Sequence, residues 1–148
     1  MAIPSLQCAV FEFGSAAYRE SVALRYEVLR KPLGLTWEKG AFDGEEKAIH
    51  VGCFENGTLV GSLILKPVDA TTLKMRQVAV ANDRQSRGIG SELVRFSESV
   101  AVARGFTTIV ANARDVAVTF YRRLGYQVEG DPFVEVGIPH RFIRKIVK

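Results

Sequence analysis

Val78-Ala79-Val80-Ala81-Asn82-Asp83-Arg84-Gln85-Ser86-Arg87-Gly88-Ile89-Gly90-Ser91 is the stretch whose reading decides the fold. A short apolar run gives way to a polar turn with two arginines, then to Gly-x-Gly, and then to Glu92, Leu93, Val94 and Phe96 at helical spacing. The reading is strand, loop, helix start. The first four N–H groups of such a helix lack intrahelical acceptors, and with the positive end of the helix dipole they form a site for an anion. Gly88 and Gly90 carry no Cβ and let a phosphate approach the backbone, while Arg84 and Arg87 add charge. A Gly-x-Gly turn before a helix also serves as a plain connection, so the anion site needs support from elsewhere in the chain.

Outward from this stretch the chain reads as β-α-β-β-β-α-β-α-β-β. Upstream, Leu6 to Phe13 suits a strand closed by Gly14, and Ser15 suits the N-cap of a helix running to about Leu29, before Pro32 and Gly34. Leu33 to Lys47, with three glycines and Trp37, is expected to be an irregular loop that shapes a substrate mouth. Ile49 to Phe54 and Thr58 to Leu65 flank Asn56-Gly57 and form a hairpin. Thr71 to Val80 is a third strand, with Leu73, Met75, Gln77 and Ala79 alternating against Lys74, Arg76, Val78 and Val80.

Downstream, a helix from Ile89 to Arg104 ends at Gly105, and the apolar run Phe106 to Ala111 is a covered central strand lying beside the one that ends at Val80. Ala113 to Leu124 is helical and closes at Gly125. Tyr126 to Glu129 is a strand broken by Gly130 to Phe133, Val134 to Ile138 an irregular arm, and Arg141 to Val147 a last strand. No linker or repeat divides residues 1–148, so a single domain is expected.

At 47% apolar and 24% charged, the 148 residues have globular composition. The start, from Met1 to Cys8, has no basic segment before an apolar one, and no uncharged run approaches the ~18 residues of a membrane span, which points to a cytoplasmic protein without a membrane partner. Cys8 and Cys53 are too few and too far apart for a disulfide framework or a metal knuckle and are expected as small core residues, with no metal bound. Residues 1–60 hold six Lys/Arg against eight Asp/Glu, whereas residues 61–148 hold fourteen against eight. The basic half contains the glycine turn, which favours an anionic ligand; a nucleic-acid surface is a weaker reading of the same charge.

Three pieces together resemble the GNAT superfamily of N-acetyltransferases, over about Leu6 to Val147. They are Gln77-Val78-Ala79-Val80, the turn Gln85-Ser86-Arg87-Gly88-Ile89-Gly90, and Phe120-Tyr121-Arg122-Arg123-Leu124-Gly125-Tyr126. The tail Glu135-Val136-Gly137-Ile138-Pro139-His140, with Arg25 and Val28, looks like a smaller branch of that superfamily. The resemblance implies an α/β (α+β) acyl-CoA N-acyltransferase fold: a mixed, mostly antiparallel twisted sheet splayed between its fourth and fifth strands, with helices on both faces. It implies that acetyl-CoA lays its pantetheine arm along Gln77 to Val80 and its pyrophosphate on the backbone N–H groups from Gln85 through Ser86, Arg87, Gly88, Ile89 and Gly90 to Ser91, with Arg84 adding charge.

The implied reaction is acetyl transfer to a primary amine, small-molecule or peptide, by direct attack in a ternary complex. Tyr121 would be the acid for the departing thiolate and would also touch the cofactor; a backbone N–H near Val78 would hold the oxyanion, and Asn112, just after the strand, the pantetheine or thiol end. His140 and Glu135 are the candidate bases, with His50 and Glu45 as further possibilities. Arg25, Arg76 and His50 are candidate acceptor contacts, alongside Glu27 and Arg30. A sensor that binds acetyl-CoA without turnover is the alternative reading, and a homodimer is left open.

Overall fold

The computed structural model describes residues 5–148; the reading of Met1 to Pro4 lies outside them. Its seven strands are β1 (Leu6–Phe11), β2 (Ile49–Glu55), β3 (Thr58–Pro67), β4 (Thr72–Val80), β5 (Thr108–Arg114), β6 (Gln127–Glu135) and β7 (Ile138–Ile146). The helices are α1 (Ala16–Arg25), α2 (Ile89–Ala103) and α3 (Val118–Arg123). One sheet runs β1-β2-β3-β4-β5-β7-β6, antiparallel throughout except for the parallel pair β4–β5. The element order and the mixed sheet are those expected from the sequence.

Local chemistry sets the joints. The Ser15 hydroxyl accepts from Tyr18 N–H at 3.2 Å and caps α1. Both later helices end in the same way. Gly105 and Gly125 adopt φ of +88° and +95°, and the following residues, Phe106 and Tyr126, donate back to Ala101 O and Tyr121 O at 3.0 Å. This C-cap explains the Tyr-x-x-x-Gly-Tyr spacing: Gly125 turns the chain so that Tyr126 drops onto the helix it has just left.

The sheet separates two packing layers. Leu63, Leu65, Leu73, Met75, Ile109, Ala111 and Ile143 form the core with Ile89, Leu93 and Val94 of α2 and Tyr121 of α3. α1 crosses the opposite face over β3 and β4. The strict alternation expected along β4 fails at Gln77, whose φ of +56° makes a bulge, and pairing jumps from Ile64–Arg76 to Ser62–Ala79. Consequently Val78 and Val80, instead of Gln77 and Ala79, continue the core face of Leu73 and Met75.

Other expectations are corrected. Asn112 lies inside β5, opposite Phe142, because the strand extends to Arg114. Gly130 to Phe133 is a bulge within one strand, and the irregular arm is the tip of the β6–β7 hairpin, turned by Val136 and Gly137. Cys8 and Cys53 are disulfide-bonded: distant in sequence, they face each other in the antiparallel β1–β2 register. Cys53 is still part of the core, as expected. Among the described residues no helix is long and apolar enough to cross a membrane.

Beyond Arg25 the helix widens into a π-turn over Tyr26–Arg30, and a buried ion pair holds that end down. Arg25, 1% exposed, donates to Glu45 from both terminal nitrogens at 3.0 and 2.7 Å, between the rings of Trp37 and Phe42. The Tyr18 hydroxyl donates to the same carboxylate at 2.7 Å, and His50 Nε2 lies 2.7 Å from the Glu45 carbonyl. Burial, aided by the Glu45 hydrogen bond and charge, pushes the Tyr18 phenol up to about 12. Burial would raise the Glu45 carboxyl as well, but the Arg25 and Tyr18 hydrogen bonds and the Arg25 charge outweigh it and hold the group below its ordinary value.

A depressed carboxyl contributes stability that is present above its unfolded pKa and lost as pH falls through the folded one. Glu45→Gln, which leaves the Arg25 charge buried without its counter-ion, is expected to lose about 3–5 kcal/mol in urea unfolding at neutral pH. Its deficit against the parent should narrow below about pH 4.

Candidate functional site

The pairing of β4 with β5 covers only Thr72–Met75 against Thr108–Ala111. Past those four pairs the strands diverge. β3 holds Arg76, Ala79 and Val80 on one side, and β7 holds Asn112 to Arg114 on the other, so each strand turns an unpaired edge toward the gap. A cleft of about 890 Å³ opens there. β4 and β5 form its floor, the glycine turn and Phe120 and Tyr121 one wall, and Val28 to Arg30, Glu38 and the hairpin tip the other.

The glycine turn supplies backbone donors. Ser86 and Gly88 both have positive φ, +65° and +84°, and Gly88 is the N-cap of α2. The N–H groups of Ile89, Gly90 and Ser91 that follow have no acceptor among the described residues. Nothing lies within 4 Å of where a Gly88 Cβ would stand, whereas a Cβ on Gly90 would meet the Phe120 ring at 3.3 Å. The two glycines therefore differ in purpose: Gly88 makes the turn, and Gly90 admits Phe120.

The arginines contribute less to this turn than expected. The Arg84 guanidinium is held by Glu55 at 3.1 Å and Asp83 at 2.7 Å, and Arg87 is exposed, away from the cleft lining. Gln85 is a strut, donating from Nε2 to Val80 O at 3.1 Å. Ile89 is buried beneath the turn, and Ala79, 2% exposed, faces away from the cleft.

Tyr121 lies in the same wall as the turn, 7% exposed, with no hydrogen-bond partner for its hydroxyl among the described residues. Burial alone pushes its phenol up to about 12. Asn112, Glu135 and His140 meet at the far end: Asn112 Nδ2 donates to Glu135 Oε1 at 3.3 Å, and His140 Nε2 lies 3.5 Å from Glu135 Oε2. His140 Nδ1 lies 2.7 Å from the Ile138 carbonyl, which can only accept, so Nδ1 carries a proton and Nε2 faces the carboxylate.

Gln77, Val78, Val80, Arg76, Asn112, Tyr121, Glu135 and His140 are thus brought together, but Arg25, His50 and Glu45 are not. They form the buried network beneath the π-turn, and Glu27 pairs on the surface with Lys31. Of the loop 33–47, Glu38 reaches the cleft; Ala41, Asp43, Gly44 and Glu45 line a separate small cavity. The sequence reading missed Lys74, Arg114 and Glu38. Parity marks the first two: Lys74 shares a face with Arg76, and Arg114 with Asn112. Among the described residues no group of three His, Cys, Asp or Glu side chains could hold a metal ion.

The model of the Acetyltransferase (GNAT) family matches residues 13–126. The Bacillus subtilis protein named uncharacterized N-acetyltransferase YitI is 24% identical over 140 residues, covering 90% of this chain and 94% of its own. An acyl-CoA N-acyltransferase structure from Pseudomonas aeruginosa superposes with a TM-score of 0.81 at 19% identity, over 95% of this chain and 99% of that one. A GNAT acetyltransferase from Elizabethkingia anophelis, crystallised with acetyl-CoA bound, gives 0.76 at 16% identity, over 97% and 99%.

A side chain at position 88 must adopt the left-handed conformation. Gly88→Val is expected to lose about 1–2 kcal/mol or more in urea unfolding.

Proposed function

The chain belongs to the GNAT family of acetyltransferases, and from that membership we propose that residues 1–148 act as one domain moving the acetyl group of acetyl-CoA to a primary amine, both substrates being bound together. The observation that carries this reading is the open β4–β5 edge, with the glycine turn at one end and the unpartnered Tyr121 hydroxyl beside it. The acetyl-CoA in the Elizabethkingia anophelis structure supports the choice of acyl donor.

The residues fit that donor. An exposed strand edge from Arg76 to Val80 suits an extended, amide-containing arm, which adds to a sheet as a strand would. The αL turn at Ser86 and Gly88 and the free N–H groups of Ile89, Gly90 and Ser91 suit a pyrophosphate. Acetyl-CoA supplies an activated carbonyl carbon and a thiolate leaving group.

The chain supplies the proton transfers. With Nδ1 committed to Ile138 O, His140 Nε2 accepts the proton that the amine loses as the C–N bond forms, directly or through one water. Glu135, 3.5 Å away, stabilises the imidazolium. The backbone N–H of Val78, beside the Gln77 bulge, is assigned to the developing oxyanion. Tyr121, its pKa pushed up to about 12, keeps its proton at neutral pH and gives it to sulfur as the C–S bond breaks. The imidazolium then returns its proton to solvent, and the phenolate is reprotonated.

Tyr121→Phe is expected to lower kcat by about 10²–10⁴-fold while retaining the thermal stabilisation by CoA. In the parent enzyme an acid of pKa about 12 predicts no alkaline fall in kcat below roughly pH 11, and an earlier fall would assign the acid elsewhere. Gly88→Val should abolish the CoA-dependent rise in Tm, because a branched side chain at the turn fills the space over its N–H groups; an unchanged rise would remove the pyrophosphate assignment.

A further inference from the structure

The two faces of the β4–β5 gap have opposite chemistry. Met75, Ala111 and Ala113 point toward α2 and α3, the side from which Tyr121 enters. By alternation and register, Lys74, Arg76, Asn112 and Arg114 share the other face, where the cleft is walled by Val28 to Arg30, Glu38 and the hairpin tip. This is the face left for the acceptor once the thioester occupies the first.

The charges on that face do not balance. Lys74, Arg76 and Arg114 all line the cleft, and none pairs with a carboxylate or makes a side-chain hydrogen bond among the described residues. Both carboxylates on the same wall are engaged: Glu38 lies 3.9 Å from Arg30, and Glu135 takes Asn112 and His140. Arg30 also donates to Thr36 O. Asp43 lines the adjoining small cavity with Arg76 but makes no ion pair with it. Three unpaired cations around one cleft repel one another, most strongly where water is partly excluded. An anion relieves that repulsion, whereas a polyamine would add to it.

Resting on the acetyl-transfer reading, we infer that the acceptor is an amine bearing a separate anionic group, a carboxylate or a phosphate, which Lys74, Arg76 and Arg114 hold while the amine faces His140. The Arg guanidinium forks suit either oxyanion and the Lys ammonium adds a point charge.

The experiment compares four primary amines as acceptors: ethanolamine, β-alanine, phosphoethanolamine and putrescine. The expected result is a kcat/KM about 10- to 100-fold higher for one or both anionic amines than for ethanolamine, with putrescine lowest. β-alanine against phosphoethanolamine tells carboxylate from phosphate. Lys74→Ala with Arg76→Ala should remove the preference through KM, while the CoA-dependent Tm rise persists. Preference for putrescine, equal use of all four, or an unchanged KM in the double variant overturns the inference. Calorimetric titration of the same amines into the CoA complex gives a readout independent of turnover: equal binding of charged and neutral amines overturns the inference, and an anion preference without acetylation sinks the transfer reading instead.

Discussion

The structure depends on a parallel strand pair that stops after four residues. Backbone N–H and C=O groups are costly to leave unpaired away from water, so two adjacent strands ordinarily zip to their ends. Here they cannot. The left-handed Gln77 forces a bulge whose register is already fixed by β3, and the Ala81 N–H bond to Val60 O at 2.8 Å anchors the strand end on that side. β5 is drawn the other way by seven consecutive pairs with β7. The gap is a compromise between two partners, each better satisfied than the missing pairing between β4 and β5 would be.

Several contacts keep the gap at a usable width. Phe120 packs where a Gly90 side chain would be, and Gln85 ties the turn to the end of β4, so α2 starts at a fixed height above the floor. On the other face the π-turn, anchored by Arg25 and Glu45, carries Val28, Leu29 and Arg30 over β4. Breaking such a pair is expensive because it leaves a charge buried, so the pair resists displacement even though its net contribution to stability is small. Its role is positional. This gives Arg25, Glu45 and His50 a reason for being where they are, buried and outside the cleft lining.

The order of elements was legible because it rests on local rules: Asn56-Gly57 for a hairpin, Ser15 for a cap, Gly105 and Gly125 for helix ends. The glycine turn and Tyr121 were legible for the same reason, since backbone geometry leaves marks in the sequence. What failed was non-local. Nothing around Gln77 announces a left-handed residue, because Gln has no preference for that conformation, and the bulge shows only in the pairing with β3. Cys8 and Cys53 become partners only through strand register. Arg25 and His50 resembled ligand contacts because a charged residue bound for a buried network has the same local pattern as one bound for a site.

The cleft therefore divides its work between backbone and side chains. One side is a strand edge, N–H groups and a glycine turn; of the two nearby arginines, Arg84 is paired with Glu55 and Asp83, and Arg87 is exposed and outside the lining. On the other side, Lys74, Arg76, Arg114, Glu135 and His140 reach the cleft from four strands, β4, β5, β6 and β7. Apart from the tail Glu135 to His140, no short motif connects them. They become a set only when strand register lines up their parity, so this side of the cleft is the part that sequence pattern records most weakly.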